Sequence, residues 1–412
     1  MAATPHLLLQ LAVILGTARL LALLLGRLGQ PPVIGEMLAG LLLGPLAFGA
    51  LAPHWQAALF PREGVAALEG IGQVGLVLFM LVVGAELRAP DALRDRLVAG
   101  GRVALLGMLL PGAFGLAIAP GLHARFAPPG TAFVPFALFL AVALAITAFP
   151  VLARILKERA MTQGAPGQLA LAAAAITDVL AWLLLAVVIA AAGAGGGWHP
   201  LAVTLAGLAA VAACAFGVLR PLCAWMLARV AEDGPGNTVL GLLLAMTAAT
   251  AAATAALGLH PVFGAFLFGA CLPRDERLRR VLVDRIEPVA VLVLMPVFFT
   301  LAGLGTSAAA FNAAGVSALL LILAAAFAGK LLGAGAGARM AGLGWRDSLA
   351  VGALMNTRGL MELIVLEVGI EAGLIDAELF TLLLAMTLLT TLSTAPLLDL
   401  CRLRLPARVR AT

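Results

Sequence analysis

Apolar stretches of roughly 20 residues follow one another along the whole chain, each parted from the next by a short break rich in Gly, Pro or Arg. A stretch of about 20 residues, rising about 1.5 Å per residue, covers the roughly 30 Å hydrocarbon core of a bilayer as one helix. Lipid offers peptide groups no hydrogen-bond partner, so only helices or closed barrels can span it, and this length selects helices. Cutting at prolines, glycine clusters and charges predicts thirteen spans: 6–26, 32–50, 66–86, 99–122, 132–157, 166–192, 200–228, 237–257, 260–272, 282–304, 313–338, 347–370 and 377–401. Of the 412 residues, 63% are hydrophobic and 11% charged, far above the roughly 45–50% apolar content of soluble domains. The fold class is therefore an all-α polytopic membrane protein of about 13 transmembrane helices, with 1–412 a single membrane domain.

Cytoplasmic loops of such proteins carry the excess of Lys and Arg. With an odd number of spans and the N-terminus outside, 21 basic residues fall on the cytoplasmic side and 2, Arg62 and Arg125, on the other; Arg19, Lys330 and Arg358 remain inside spans. This predicts a multi-pass protein of a bacterial-type inner (plasma) membrane with its C-terminus in the cytoplasm. The start, Met1-Ala-Ala-Thr-Pro-His6, has no basic region before its first full-length span and does not read as a cleavable signal peptide.

Several function classes drop out. The net charge of +5 comes from arginines beside apolar spans and forms no continuous basic face, so no nucleic acid partner is expected. Cys214, Cys223, Cys271 and Cys401 lack metal-ligand spacing and read as packing residues. Gly333-Ala-Gly-Ala-Gly-Ala-Arg339 lies in an apolar span and not after a strand, so it reads as helix packing, not nucleotide binding. HExxH, Walker A and GxSxG motifs are absent, and neither an enzyme nor a cofactor is expected.

Asp178 is the only ionisable group in the run Leu169–Val188, which puts a carboxylate near the bilayer midplane. An isolated charge there costs roughly 2.5–3.5 kcal/mol on insertion scales, and intramembrane carboxylates usually hold a proton or a cation. Other polar groups at similar depth are Thr147, Thr177, Lys330, Asn356, Thr357, Arg358 and Glu362. Arg358 and Glu362, four apart, share a helix face and can neutralise one another. Lys330 suits either a titrating ammonium or a structural ion pair. Arg19, Glu36 and Glu86 read as snorkelling or paired.

Pro32-Val-Ile-Gly-Glu-Met-Leu-Ala-Gly40 and Pro261-Val-Phe-Gly-Ala-Phe-Leu-Phe-Gly269 share the pattern P-V-x-G-x4-G in spans predicted to run in opposite directions. That suggests two inverted six-helix repeats, 1–6 and 8–13, joined by span 7, which is a transporter architecture. The repeat pairs span 5 with span 12. Each carries a helix break, at Ile146–Pro150 and at Asn356–Gly359, with Pro150 and Gly359 as the breaking residues.

Ile146-Thr-Ala-Phe-Pro-Val-Leu-Ala-Arg154, Ala172-Ala-Ala-Ala-Ile-Thr-Asp-Val-Leu-Ala-Trp182, Pro261–Gly269 and Met355-Asn-Thr-Arg-Gly-Leu-Met-Glu-Leu363 together resemble the monovalent cation:proton antiporter superfamily, in the branch of bacterial Na⁺ or K⁺/proton antiporters and plant cation/proton exchangers. The resemblance implies the sodium/proton antiporter fold with two crossing broken helices. It also implies a homodimer, with a dimerisation part at 1–98 and 237–304, a moving core at 99–192 and 313–402, and a linking helix within 193–236. On it, Asp178 matches the ion-binding aspartate, Thr147 the polar residue of the span 5 break, Lys330 the lysine facing the site, and Arg358 with Glu362 the charged pair of the second broken helix. Asn356 and Thr357 stand beside that pair as accessory residues. Thr177 departs from the pattern, because electrogenic members carry a second aspartate there. That leaves Lys330 without a charged partner and favours one proton per cation, while a Lys330 that also titrates would still make the exchange electrogenic. Potassium-efflux relatives often carry a C-terminal nucleotide-binding domain, which is not expected in a chain ending at Thr412.

The function so implied is secondary active exchange of Na⁺ or K⁺ for H⁺ by alternating access, with proton and cation competing at Asp178, the one metal-binding residue expected. Thr147, Thr177 and broken-helix carbonyls would complete the coordination. Two alternatives remain at this point: an organic-anion symporter of similar fold, using Arg358 and Lys330 as substrate contacts, and a non-transporting membrane sensor.

Overall fold

Helices form wherever the apolar stretches run. The computed structural model describes residues 3–86, 93–159, 161, 164–193, 198–229, 236–257, 259–273 and 275–402, with no strand among them. Of the basic residues used for orientation, Arg88, Arg274, Arg404, Arg408 and Arg410 lie outside the described residues.

The helices are α1 (Ala3–Gly26), α2 (Pro32–Leu43), α3 (Arg62–Glu86), α4 (Leu93–Phe126), α5 (Phe133–Ala145), α6 (Phe149–Glu158) and α7 (Ala165–Gly193). Next comes α8, which is Trp198–Cys214 carried through a wide turn at Ala215–Leu219 into Arg220–Ala228. After it follow α9 (Asn237–Ala256), α10 (Val262–Cys271), α11 (Glu276–Leu304), α12 (Ala313–Met340), α13 (Trp345–Met355), α14 (Leu360–Glu371) and α15 (Ala377–Arg402).

Among the described residues, ten helical stretches are long and apolar enough to cross a membrane. The other three predicted spans, 132–157, 260–272 and 347–370, are built from shorter helices. Two of these are interrupted. Span 5 divides into α5 and α6 around an extended Ile146 (φ −66°, ψ 147°), and span 12 divides into α13 and α14 around Asn356–Gly359. Pro150 falls in the first turn of α6, where a missing N–H leaves no helical bond unmade. Gly359 adopts φ 158°, ψ −130°, and a β-carbon on it would sit 2.8 Å from Val151 Cγ2. The position therefore requires glycine.

The chain divides into two compact units. The first comprises Met1–Leu21, Glu36–Ala89 and Ala186–Thr306. Glycines let its backbones meet: a β-carbon at Gly40 would lie 2.0 Å from the Phe299 carbonyl oxygen, and one at Gly303 would lie 1.9 Å from that of Gly40. Likewise, β-carbons at Gly84 and Gly269 would lie 2.3 Å from the carbonyl oxygens of Phe266 and Leu81. Gly40 and Gly269 are the last residues of the two P-V-x-G-x4-G segments. Span 2 thus meets span 10 as span 9 meets span 3, the exchange that a two-repeat chain prescribes. In the same unit Arg19 pairs with Glu36 at 3.3 Å and donates to the Leu292 carbonyl at 3.0 Å. That carbonyl is open because the residue four places on, Pro296, has no N–H to offer it.

The second unit comprises Ala22–Gly35, Pro90–Leu185 and Ser307–Thr412 and holds both broken helices. Its long helices α4 and α12 touch along Gly329, Gly333 and Gly337, one per turn. There β-carbons would lie 2.5 Å from Pro111 Cα, 2.3 Å from the Leu106 oxygen and 2.6 Å from Val103 Cα. The glycine-rich segment of α12 is therefore a packing ridge. Gly333→Ala is expected to cost about 1–3 kcal/mol by forcing backbones apart, seen as a melting temperature lower by a few degrees in detergent.

Candidate ion-binding site

A helix ends with carbonyls that have no intrahelical partner, and in a buried place each must find one. At the end of α5 all four do. Val142 accepts from the Ile146 N–H at 3.2 Å, Ala143 and Leu144 accept from the Arg358 guanidinium at 2.6 and 2.5 Å, and Ala145 accepts from Lys330 Nζ at 2.5 Å. The Lys330 amine and the Arg358 guanidinium, both buried, thus sit at the negative end of the α5 dipole, where donors and cations are favoured. Arg358 also donates to Glu362 Oε2 at 2.8 Å, and Lys330 to Thr147 Oγ1 at 2.7 Å.

The two breaks are stitched to each other. Thr147 Oγ1 donates to the Met355 carbonyl at 2.7 Å, and the Ala148 N–H donates to the Thr357 carbonyl at 3.0 Å. Thr147 therefore spends its proton on α13 while accepting from Lys330. Glu362 stands in the first turn of α14, at that half-helix's positive end.

Asp178 is 1% exposed, in the middle of α7. Neither of its carboxylate oxygens has a hydrogen-bond partner, and no ion pair joins it to Lys330 or Arg358 within 4.0 Å. The Phe149 N–H, at the positive end of α6, faces it without closing a hydrogen bond of ordinary geometry, and Lys330 lies within electrostatic reach. Thr177, beside it and fully buried, donates to the Ala174 carbonyl of its own helix at 2.9 Å. Asn356 and Thr357 are also fully buried, and both amide atoms of Asn356 and the hydroxyl of Thr357 lack partners. Buried polar atoms left unsatisfied in this number are costly and call for something to bind.

The site residues read from the sequence thus fall into two groups. Lys330, Arg358 and Thr147 donate to backbone at the breaks, while Asp178, Asn356 and Thr357, along with Arg358 Nε and Glu362 Oε1, hold polar atoms with no protein partner. Sequence reasoning missed Thr391, which bonds the backbone of Arg358 on both sides. It is one of five threonines between residues 381 and 394, and nothing in their spacing singles it out.

Residues 12–400 match the family model described as sodium/hydrogen exchanger, transmembrane. The chain is 36% identical over 402 residues to the Na⁺/H⁺ antiporter NhaS4 of Synechocystis, with 96% of this chain and 97% of that one covered. It is 38% identical to cation/H⁺ antiporter 20 of Arabidopsis thaliana and 31% identical to K⁺/H⁺ antiporter 1 of Saccharomyces cerevisiae, aligning over 96% and 95% of its length. It spans only 48% and 46% of those longer proteins. Among solved structures, the sodium proton antiporter MjNhaP1 from Methanocaldococcus jannaschii shares its fold, with a TM-score of 0.70 at 18% identity over 97% of this chain and 99% of that one. Matched over nearly all its residues, and at this identity to a relative of equal length, the chain belongs to the sodium/hydrogen exchanger family, within the monovalent cation:proton antiporter superfamily.

Proposed function

We propose that this membrane protein, a cation:proton antiporter and not an enzyme, exchanges Na⁺ or K⁺ for H⁺ at Asp178. One observation carries the reading. A buried carboxylate has both oxygens open while Lys330 and Arg358, in the same unit, donate to the carbonyls at the end of α5 and form no ion pair with it. Such a group takes either a proton, which removes its charge, or a partly dehydrated monovalent cation, which neutralises it. One oxygen pair cannot hold both, so the two fluxes are coupled.

Asn356 Oδ1 and Thr357 Oγ1 would complete the oxygen shell around the cation. Thr177 can add only its lone pairs, because its proton is bonded within α7. Thr147, with its proton on Met355 and Lys330 on its oxygen, serves to position the break. The unit carrying Asp178 would be the moving core and the other unit the dimerisation part of a homodimer. The bias of basic residues supports an N-terminus outside a plasma membrane and a C-terminus in the cytoplasm.

Competition at one carboxylate makes a kinetic prediction. In proteoliposomes carrying a pH-sensitive dye, the apparent cation KM should rise about tenfold per pH unit once the site is mostly protonated, because the competent fraction falls by that factor. Vmax should stay constant. A Vmax that falls while KM holds would place proton and cation on separate groups. Running the assay with Li⁺, Na⁺, K⁺ and Rb⁺ ranks the substrates, and no response to any of the four would overturn the exchange reading.

A further inference from the structure

The gap between α13 and α14 leaves the peptide of Arg358 outside any helix, in a place without exposure. A single hydroxyl serves both of its polar groups. Thr391 of α15 accepts from the Arg358 N–H at 2.8 Å and donates to the Arg358 carbonyl at 2.9 Å. Its neighbours Thr387, Thr390 and Thr394 instead donate to carbonyls of α15 itself, one turn back. That is the usual habit of threonine in a helix. Thr391 alone of these four turns its hydroxyl to another segment.

The residues on either side of this clasp are the ones the site depends on. Asn356 and Thr357, with their unpartnered buried side-chain atoms, immediately precede Arg358, and Gly359 follows it in a conformation that requires glycine. The Asn356 and Thr357 N–H groups bond back to the end of α13 and the Thr357 carbonyl accepts from Ala148, so the backbone leading on to Gly359 is held at Arg358 by Thr391. Thr391 also lines a cavity of about 410 Å³ together with Gln30, Pro31, Ile155, Arg159 and Ala395.

We propose that Thr391 is a positioning residue for exchange: by holding both backbone groups of Arg358 it fixes the direction in which Asn356 and Thr357 present their oxygens, and so sets the affinity for the cation. This rests on the reading that those oxygens share a cation with Asp178. Thr391 itself touches neither ion.

Two variants separate the hydroxyl from the volume. Thr391→Val keeps the shape and removes both hydrogen bonds, while Thr391→Ser keeps the hydroxyl. Assayed in proteoliposomes with the pH dye, Thr391→Val should raise the cation KM about five- to tenfold, with Vmax within about twofold of wild type. Thr391→Ser should return KM to within about twofold of wild type. A wild-type KM in Thr391→Val overturns the proposal, as does equal impairment of Val and Ser, which would make side-chain volume the cause. Should Thr391→Val not insert stably, Thr391→Ala opens the position to the cavity and lets water replace the hydroxyl, with KM expected up about threefold. An Ala variant with wild-type KM overturns the proposal equally. The outcomes are distinct from those of the site reading: cation-dependent exchange surviving in Asp178→Asn removes that reading whatever Thr391 does. A wild-type KM in Thr391→Val, with Asp178→Asn inactive, removes only the clasp.

Discussion

Asp178→Asn is expected to abolish exchange, leaving the dye response of reconstituted protein at the level of empty liposomes for every alkali cation, while the protein folds and inserts as wild type does. The amide copies the shape of the carboxyl group but can neither take up a proton nor carry the charge that offsets a cation. Removing the carboxylate removes no hydrogen bond either, because neither oxygen has one. A neutral side chain at a site 1% exposed escapes the desolvation cost of an ion, so the melting temperature should hold or rise. The two readouts move apart only if Asp178 is there for transport. Retained cation-dependent exchange would falsify the site. A large fall in melting temperature would recast Asp178 as a structural residue.

Much of this was legible in the chain because lipid narrows the choices. Once each apolar run must be a helix, a lone aspartate in such a run, prolines and glycines at mid-depth, and a lysine in an arginine-using chain stand out against a uniform background. The breaks fall at 146–148, just ahead of Pro150, which lies within the first turn of α6, and at 356–359, and the family resemblance carried by the four motifs is borne out. What the sequence could not convey is which polar groups are spent on backbone. Lys330 and Arg358 look alike on paper whether they face a substrate or cap a helix. Only the geometry shows that Ala143, Leu144 and Ala145, three residues with no polar side chain, consume them. Thr391 was invisible for the same reason, since its partner is a peptide group and not a side chain. Ten of the predicted spans are single long stretches among the described residues, while 132–157 and 347–370 are each made of two half-helices and 260–272 of one short helix.

Arg358→Met should be among the most destabilising single substitutions in the protein, with a cost of about 3–5 kcal/mol or more. Methionine fills much of the same volume, so the loss is electrostatic. The Ala143 and Leu144 carbonyls lose their donors, and the Glu362 carboxylate, fully buried, loses the cation 2.8 Å away. An unpaired buried charge is the larger part of that cost, which gives a clean comparison. In Arg358→Met/Glu362→Gln the charge is gone and only the two carbonyls remain unsatisfied, at roughly 1–3 kcal/mol each at most. The double variant should therefore be more stable than Arg358→Met alone. Glu362→Gln alone should cost least, since Arg358 keeps its carbonyls and the α5 dipole. Thermal melts in detergent give the order, and a double variant less stable than Arg358→Met would show that Glu362 supports the break by itself. Transport reads differently. If Arg358 acts by holding the end of α5 against the break that carries Thr147 and Phe149, exchange stays low in the double variant even as stability recovers. Recovery of both together would reduce the arginine to a counter-charge for Glu362.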